Sequence, residues 1–165
     1  MKKVLFLDVD GVICKDTTLN PLYRKLDRKC LLALSTLQKV SQCDIVISST
    51  WRNNFQVYSR LLKILEDHEI EVLDMTPNLG NVPRSEEIKV WLDKFGKQYT
   101  AGACVVLDDE DIDIEIKVGK FFKTDPEVGL DVEICGNIIF YFSVLEQMEV
   151  YKHGQELDLG SKDTI

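Results

Sequence analysis

Few features of this chain place it outside the ordinary run of globular domains, and what is missing narrows the reading first. The five cysteines (Cys14, Cys30, Cys43, Cys104 and Cys135) are an odd number with no close C-x-x-C pair, which argues against a disulfide framework or a zinc site. Most sit in apolar stretches, as reduced core cysteines do. Long apolar runs are absent too. Met1-Lys2-Lys3 followed by Val4-Leu5-Phe6-Leu7 begins like a signal peptide, but Asp8 and Asp10 interrupt the run far too soon for a signal core or a membrane span. A cytoplasmic location without membrane partners is the resulting expectation. Positive charge is also scarce: 20 Lys and Arg against 28 Asp and Glu leave a formal net charge of −8. That balance speaks against strong non-specific binding to nucleic acid or anionic membrane, but not against a local basic pocket for one phosphate. No linker, repeat or low-complexity stretch divides the 165 residues, which suffice for one domain with a proper core. The domain is expected over residues 1–150, with a loose polar tail over 151–165.

What is present is an alternation of short apolar runs with helix-like segments. Residues 4–7, 45–47 and 104–107 read as buried strands, with shorter candidates at 71–73 and 120–123. Leu31, Leu32, Leu34, Leu37 and Val40 recur at helical spacing and predict a helix over about 27–41; Val57, Leu61, Ile64 and Leu65 predict another over 55–67. Ser85-Glu86-Glu87 opens a third, carrying Ile88, Trp91, Leu92 and Phe95, with carboxylates in its first turn where the helix dipole favours them. Over 134–148 the spacing of Ile134, Ile138, Phe142 and Leu145 favours a helix, although the run 138–142 would tolerate a strand. Continuously apolar strands separated by helices indicate an α/β fold, a Rossmann-like three-layer sandwich around a mainly parallel sheet.

Three of these strands end in polar residues: Asp8 and Asp10, Ser48 and Ser49, Asp108 and Asp109. Open α/β sheets bind ligands in the crevice outside the carboxyl ends of their strands, so these groups are expected to converge. A lone Asp after a strand is more often a cap or turn residue. Here two Asp flank Val9 and precede Gly11, and such close like charges repel unless a cation neutralises them or one is protonated. A hard divalent ion such as Mg²⁺ takes oxygen ligands and resolves the repulsion. Asp108 repeats the argument, with Asp109 a ligand through water or a group that orients a neighbour. Glu110, Asp111 and Asp113 read as a solvated acidic loop. Ser48 is the first choice for a phosphate contact and Ser49 the substitute, the bland alternative for either being a helix cap. Arg52 either adds a charge-assisted bond or lies on the surface. Arg84 offers a guanidinium fork for phosphate oxygens, with Lys89 the fallback.

Taken together, the four segments resemble the haloacid dehalogenase (HAD) superfamily of phosphatases over about residues 3–130. Asp8-Val9-Asp10-Gly11-Val12 looks like its first motif, the serine after Ile45-Val46-Ile47 its second, Arg84 its third (Arg in place of the commoner Lys) and Asp108-Asp109 its fourth. Ser48-Ser49-Thr50-Trp51-Arg52, the segment from Arg84 to Leu92, and Thr124-Asp125-Pro126-Glu127-Val128-Gly129-Leu130 are similar to the small capless HAD domains associated with RNA-repair proteins. The resemblance implies that Asp8 is a nucleophile forming an aspartyl-phosphate and that Asp10 is the acid and base. It implies Mg²⁺ held by the Asp8 carboxylate, the Asp10 backbone carbonyl and Asp108, with Ser48 and Arg84 on the phosphoryl oxygens. Too little chain separates Asp8 from Ser48, or Ser48 from Arg84, for a large cap. An open site suits a phosphate on a large molecule, such as a polynucleotide end or a protein. The alternative is a catalytically weak phosphate- or metal-binding module on the same fold, against which the intact Asp8 and Asp10 pair speaks. A receiver domain would need its acceptor Asp where Ser48 stands.

Overall fold

The computed structural model describes residues 1–100, 102–112 and 119–160. Five strands, β1 (Val4–Leu7), β2 (Asp44–Ile47), β3 (Val72–Met75), β4 (Cys104–Asp108) and β5 (Gly119–Lys123), pair in parallel in the order β3-β2-β1-β4-β5. Four helices connect or follow them: α1 (Arg28–Ser41), α2 (Phe55–Asp67), α3 (Arg84–Phe95) and α4 (Val132–Gly160). The chain winds outward from β1 to β3 and then crosses back to β4, so the topological switch point lies between β1 and β4.

Every residue of β1 is buried because both faces of the sheet are covered. Alternation along the strands sorts their side chains into two cores. Leu5, Leu7, Ile45, Ile47, Val105 and Leu107 pack with residues of α1, α2 and α4 on one face. Val4, Phe6, Val46, Cys104 and Val106 pack with Ile88 and Trp91 of α3 on the other. Trp91 meets Phe6 edge-on at 5.3 Å, and its indole N–H donates to Asp74 at 2.7 Å. The result is the expected three-layer α/β sandwich. All five cysteines are free and buried. Among the described residues, no helix is long and apolar enough to cross a membrane.

Two boundaries differ from the sequence reading. β3 begins at Val72 and runs to Met75 rather than covering 71–73. Glu71 is taken out of the strand by Gln38, whose side-chain amide donates to the Glu71 carbonyl at 2.7 Å and accepts from its N–H at 2.9 Å. The ambiguous segment at 134–148 is helical, and its helix continues through Tyr151 to Gly160, where a loose tail was expected. Extending an established helix needs no new nucleus, so each further residue adds its backbone bond at little cost. Asp113, expected in a solvated acidic loop, lies outside the described residues.

Among the described residues, no large insertion lies where a cap would enter. Residues 8–27 fold as turns and loop before α1, and only a 3-10 turn (Thr50–Asn53), α2 and β3 lie between β2 and α3.

Candidate active site

The parallel ladder extends one residue past the strands. The Asp8 N–H donates to the Leu107 carbonyl at 3.0 Å, the Ser48 N–H to the Leu7 carbonyl at 2.9 Å, and the Thr124 N–H to the Asp108 carbonyl at 2.9 Å. Leu7 pairs with Ile47 and with Leu107, so one further step sets Asp8 between Ser48 and Asp108. Phe6, Val46 and Val106 belong to the core under α3, and the two-residue period returns Asp8, Ser48 and Asp108 to that side. α3 starts there with Arg84. Its Nη1 stands 3.2 Å from Asp8 Oδ1 and also pairs with the Asp108 carboxylate. The sheet register and one helix start thus gather four of the expected site residues.

A tight turn after β1 carries Asp10 and abuts Asp109. The N–H groups of Ile13 and Cys14 both donate to the Val9 carbonyl at 2.9 Å, and the Gly11 N–H donates to Cys14 O at 2.8 Å. Gly11 takes φ +69°, and a Cβ there would lie 2.3 Å from the Asp109 carboxyl carbon. Only glycine gives both the left-handed turn and room for Asp109. The Thr124 hydroxyl donates to the Gly11 carbonyl at 2.9 Å and ties the turn to the end of β5.

Asp8, Asp108 and Asp109 each bring a ligand oxygen within 4.8 Å of the others. Such an all-oxygen, acidic set suits a hard divalent cation such as Mg²⁺. Burial pushes the Asp8 carboxyl up from 3.8 to about 7; Arg84 opposes this, Asp108 adds to it, and the Ser49 hydroxyl and the Val9 N–H pull back. One guanidinium therefore does not fully compensate the buried charge, and a bound cation would. Asp109 is raised as well, by burial first and Asp108 second. The Asp10 side chain stands outside this triad among the described residues. Its expected contribution to a metal was the backbone carbonyl.

The two serines differ in their surroundings. Ser49 caps the 3-10 turn by accepting from the Trp51 N–H at 3.4 Å, and its hydroxyl also acts on Asp8. The Ser48 hydroxyl is fully buried and has no hydrogen-bond partner among the described residues. Leaving such a group unpaired costs about 1–3 kcal/mol, the kind of debt an anionic ligand would remove.

Sequence reasoning missed several groups. Arg24 Nη1 donates to Asp10 Oδ2 at 2.7 Å, and the Trp51 indole N–H donates to the same oxygen at 3.0 Å. Arg52 was read as a further phosphate contact or a surface residue, and it is neither. It is buried, donating to the carbonyls of Ser48 at 2.8 Å, Ser49 at 2.6 Å, Thr76 at 2.9 Å and Pro77 at 3.2 Å, and it pairs with the Glu87 carboxylate. The Trp51-Arg52 dipeptide beside the serines was a visible signal. Arg24, in a loop without periodicity, offered none.

An open parallel sheet with acids at the ends of β1 and β4, and an arginine on them from the start of α3, is an HAD-like α/β arrangement. The chain belongs to the family of HAD domains in Swiss Army Knife RNA repair proteins, which matches residues 4–134. A crystal structure from Mesorhizobium loti, of a protein assigned to the HAD-like phosphatases, superposes with a TM-score of 0.53 at 16% identity, covering 87% of each chain. Among curated proteins none matches.

Proposed function

We propose that this phosphatase-like HAD domain is a Mg²⁺-dependent phosphomonoester hydrolase that works through an aspartyl-phosphate on Asp8. The observation that carries the reading is the meeting of Asp8 with Asp108, Asp109 and Arg84 at the switch point of the sheet.

In this reading Asp8 attacks phosphorus while the bond to the leaving oxygen breaks. Asp10 gives that oxygen a proton, then takes one from the water that opens the acyl phosphate and restores the Asp8 carboxylate. Arg84 exchanges its contact with Asp8 for a charge-assisted fork on the phosphoryl oxygens. Ser48 donates its unpartnered hydroxyl to one of them, while Ser49 holds Asp8. The Asp8 carboxylate, the Asp10 backbone carbonyl and Asp108 would hold Mg²⁺, with Asp109 beside them; when bound, it neutralises the clustered acids and the developing charge on phosphate. Positioning and charge compensation supply most of the catalysis.

The lack of a large cap among the described residues supports a substrate whose phosphate sits on something large or exposed. The family's occurrence in RNA repair proteins favours a polynucleotide end over a protein. Hydrolysis of an aryl phosphate, then of 3′- and 5′-phosphorylated oligonucleotides, tests this with Mg²⁺, with chelator and with Asp8→Asn. Turnover only by the wild type with Mg²⁺ is the expected result. Turnover that survives the substitution or the chelator overturns the mechanism, and phosphate binding without turnover favours a regulatory module instead.

A further inference from the structure

Asp10 is held asymmetrically. Both of its donors, Arg24 and Trp51, reach the same oxygen, Oδ2, while Oδ1 is buried without a partner among the described residues. Neither donor is loosely placed. The Arg24 Nε donates to the Leu19 carbonyl and its Nη2 to the Thr17 carbonyl, both at 2.7 Å. The Arg24 carbonyl in turn accepts from Arg60 Nη2 at 2.6 Å. Three arms of the guanidinium are therefore committed, and only one of them touches the site. Trp51 is 2% exposed and packed in the larger core, so its indole N–H has a fixed direction. Arg84 contrasts with both, since its visible partners are the site carboxylates themselves.

We propose that Arg24 and Trp51 are positioning residues that dedicate Asp10 Oδ1 to proton transfer. The proposal rests on the reading of Asp10 as the acid and base. A proton on Oδ2 would face two N–H donors, so the transferable proton belongs on Oδ1, which has no competing donor. As the Asp8 oxygen bonds to phosphorus, the leaving oxygen keeps the electron pair of its broken bond and takes the proton from Oδ1. In the second half, water gives a proton to Oδ1 while its oxygen bonds to phosphorus. The Asp8–phosphorus bond breaks and its electron pair returns to the carboxylate. The remaining face of Asp10 is anchored throughout by Arg24, from the loop before α1, and by Trp51, from the 3-10 turn.

This role differs from phosphate binding in what it does to different leaving groups. Proton transfer is worth roughly 10²–10⁴-fold for a poor leaving group and little for an activated one. The test compares kcat and KM of wild type, Arg24→Gln, Arg24→Lys and Trp51→Phe on p-nitrophenyl phosphate and on an alkyl phosphate, in wild-type and Asp10→Asn backgrounds. Arg24→Gln should lower kcat on the alkyl phosphate by roughly 10–100-fold and change the aryl rate by less than about threefold. Arg24→Lys should restore part of the loss, and in Asp10→Asn neither Arg24 variant should cost more. The second readout is independent of turnover. The chain has two tryptophans, so ¹H–¹⁵N spectra hold two indole N–H signals, and the one from Trp51 should move in both Asp10→Asn and Arg24→Gln. Equal losses on both substrates, a change confined to KM, or an unmoved Trp51 signal overturn the positioning role alone. A wild type that hydrolyses neither of these substrates nor a 3′- or 5′-phosphorylated oligonucleotide overturns the phosphatase reading and this role with it.

Discussion

Arg52→Met should destabilise the protein far more than a surface arginine would. The substitution keeps the aliphatic volume but strips the donors from the carbonyls of Ser48, Ser49, Thr76 and Pro77. It also leaves the buried Glu87 carboxylate with the Leu79 N–H at 3.0 Å as its remaining hydrogen bond. Breaking a buried ion pair from one side costs about 3–5 kcal/mol, because the remaining charge is uncompensated. For a domain of this size each kcal/mol moves Tm by about 2–4 °C, so the midpoint should fall by roughly 6–20 °C. Urea unfolding followed by far-UV circular dichroism measures the loss, and Glu87→Gln with the double variant closes a cycle. The pair should couple by more than about 1 kcal/mol, since removing the second partner relieves the stranded charge. A single-variant loss below about 1 kcal/mol, or strictly additive losses, would refute the view that this pair clamps the serine loop to α3.

The raised Asp8 carboxyl, near 7 against 3.8 unperturbed, makes the folded protein bind a proton that the unfolded chain releases at lower pH. In chelator, the stability this group contributes should therefore be fully present below about pH 4 and lost as pH rises through about 7, read from urea midpoints across that window. Mg²⁺ must displace the same proton, so its affinity should rise by up to about tenfold per pH unit until about pH 7 and then level off; calorimetry showing no pH dependence would count against Asp8 as a ligand. Gly11→Ala forces a side chain into φ +69° and a Cβ to 2.3 Å from the Asp109 carboxyl carbon. It should cost about 1–2 kcal/mol in backbone strain and weaken Mg²⁺ binding; wild-type affinity in this variant would show that Asp109 is not needed there.

Much of this fold could be read because burial on both sheet faces leaves a plain trace. β1 and β4 are continuous apolar runs, and Asp8 and Asp108 stand out as the charges that end them. β3 was harder: it lies at the sheet edge, half-buried with alternate residues exposed, and Gln38 removes Glu71 from it. The site divides along similar lines. Residues delivered by strand register and by the start of α3, namely Asp8, Ser48, Arg84 and Asp108, follow from where the elements end. Arg24 and Trp51 reach Asp10 through loop conformation and tertiary packing across 14 and 41 positions, and no periodicity encodes that. Arg52 illustrates a different limit. Its charge suggested surface or phosphate, whereas four carbonyls and a glutamate make burial tolerable.

The central claim is that Asp8 carries the phosphoryl group during turnover. Rapid acid quench of the protein with Mg²⁺ and substrate, followed by peptide mapping, tests it most directly. The phosphoryl group should be found on the peptide containing Asp8 and vanish in Asp8→Asn along with turnover. Turnover with no phosphorylated Asp8, or a phosphoryl group on another residue, would contradict the account.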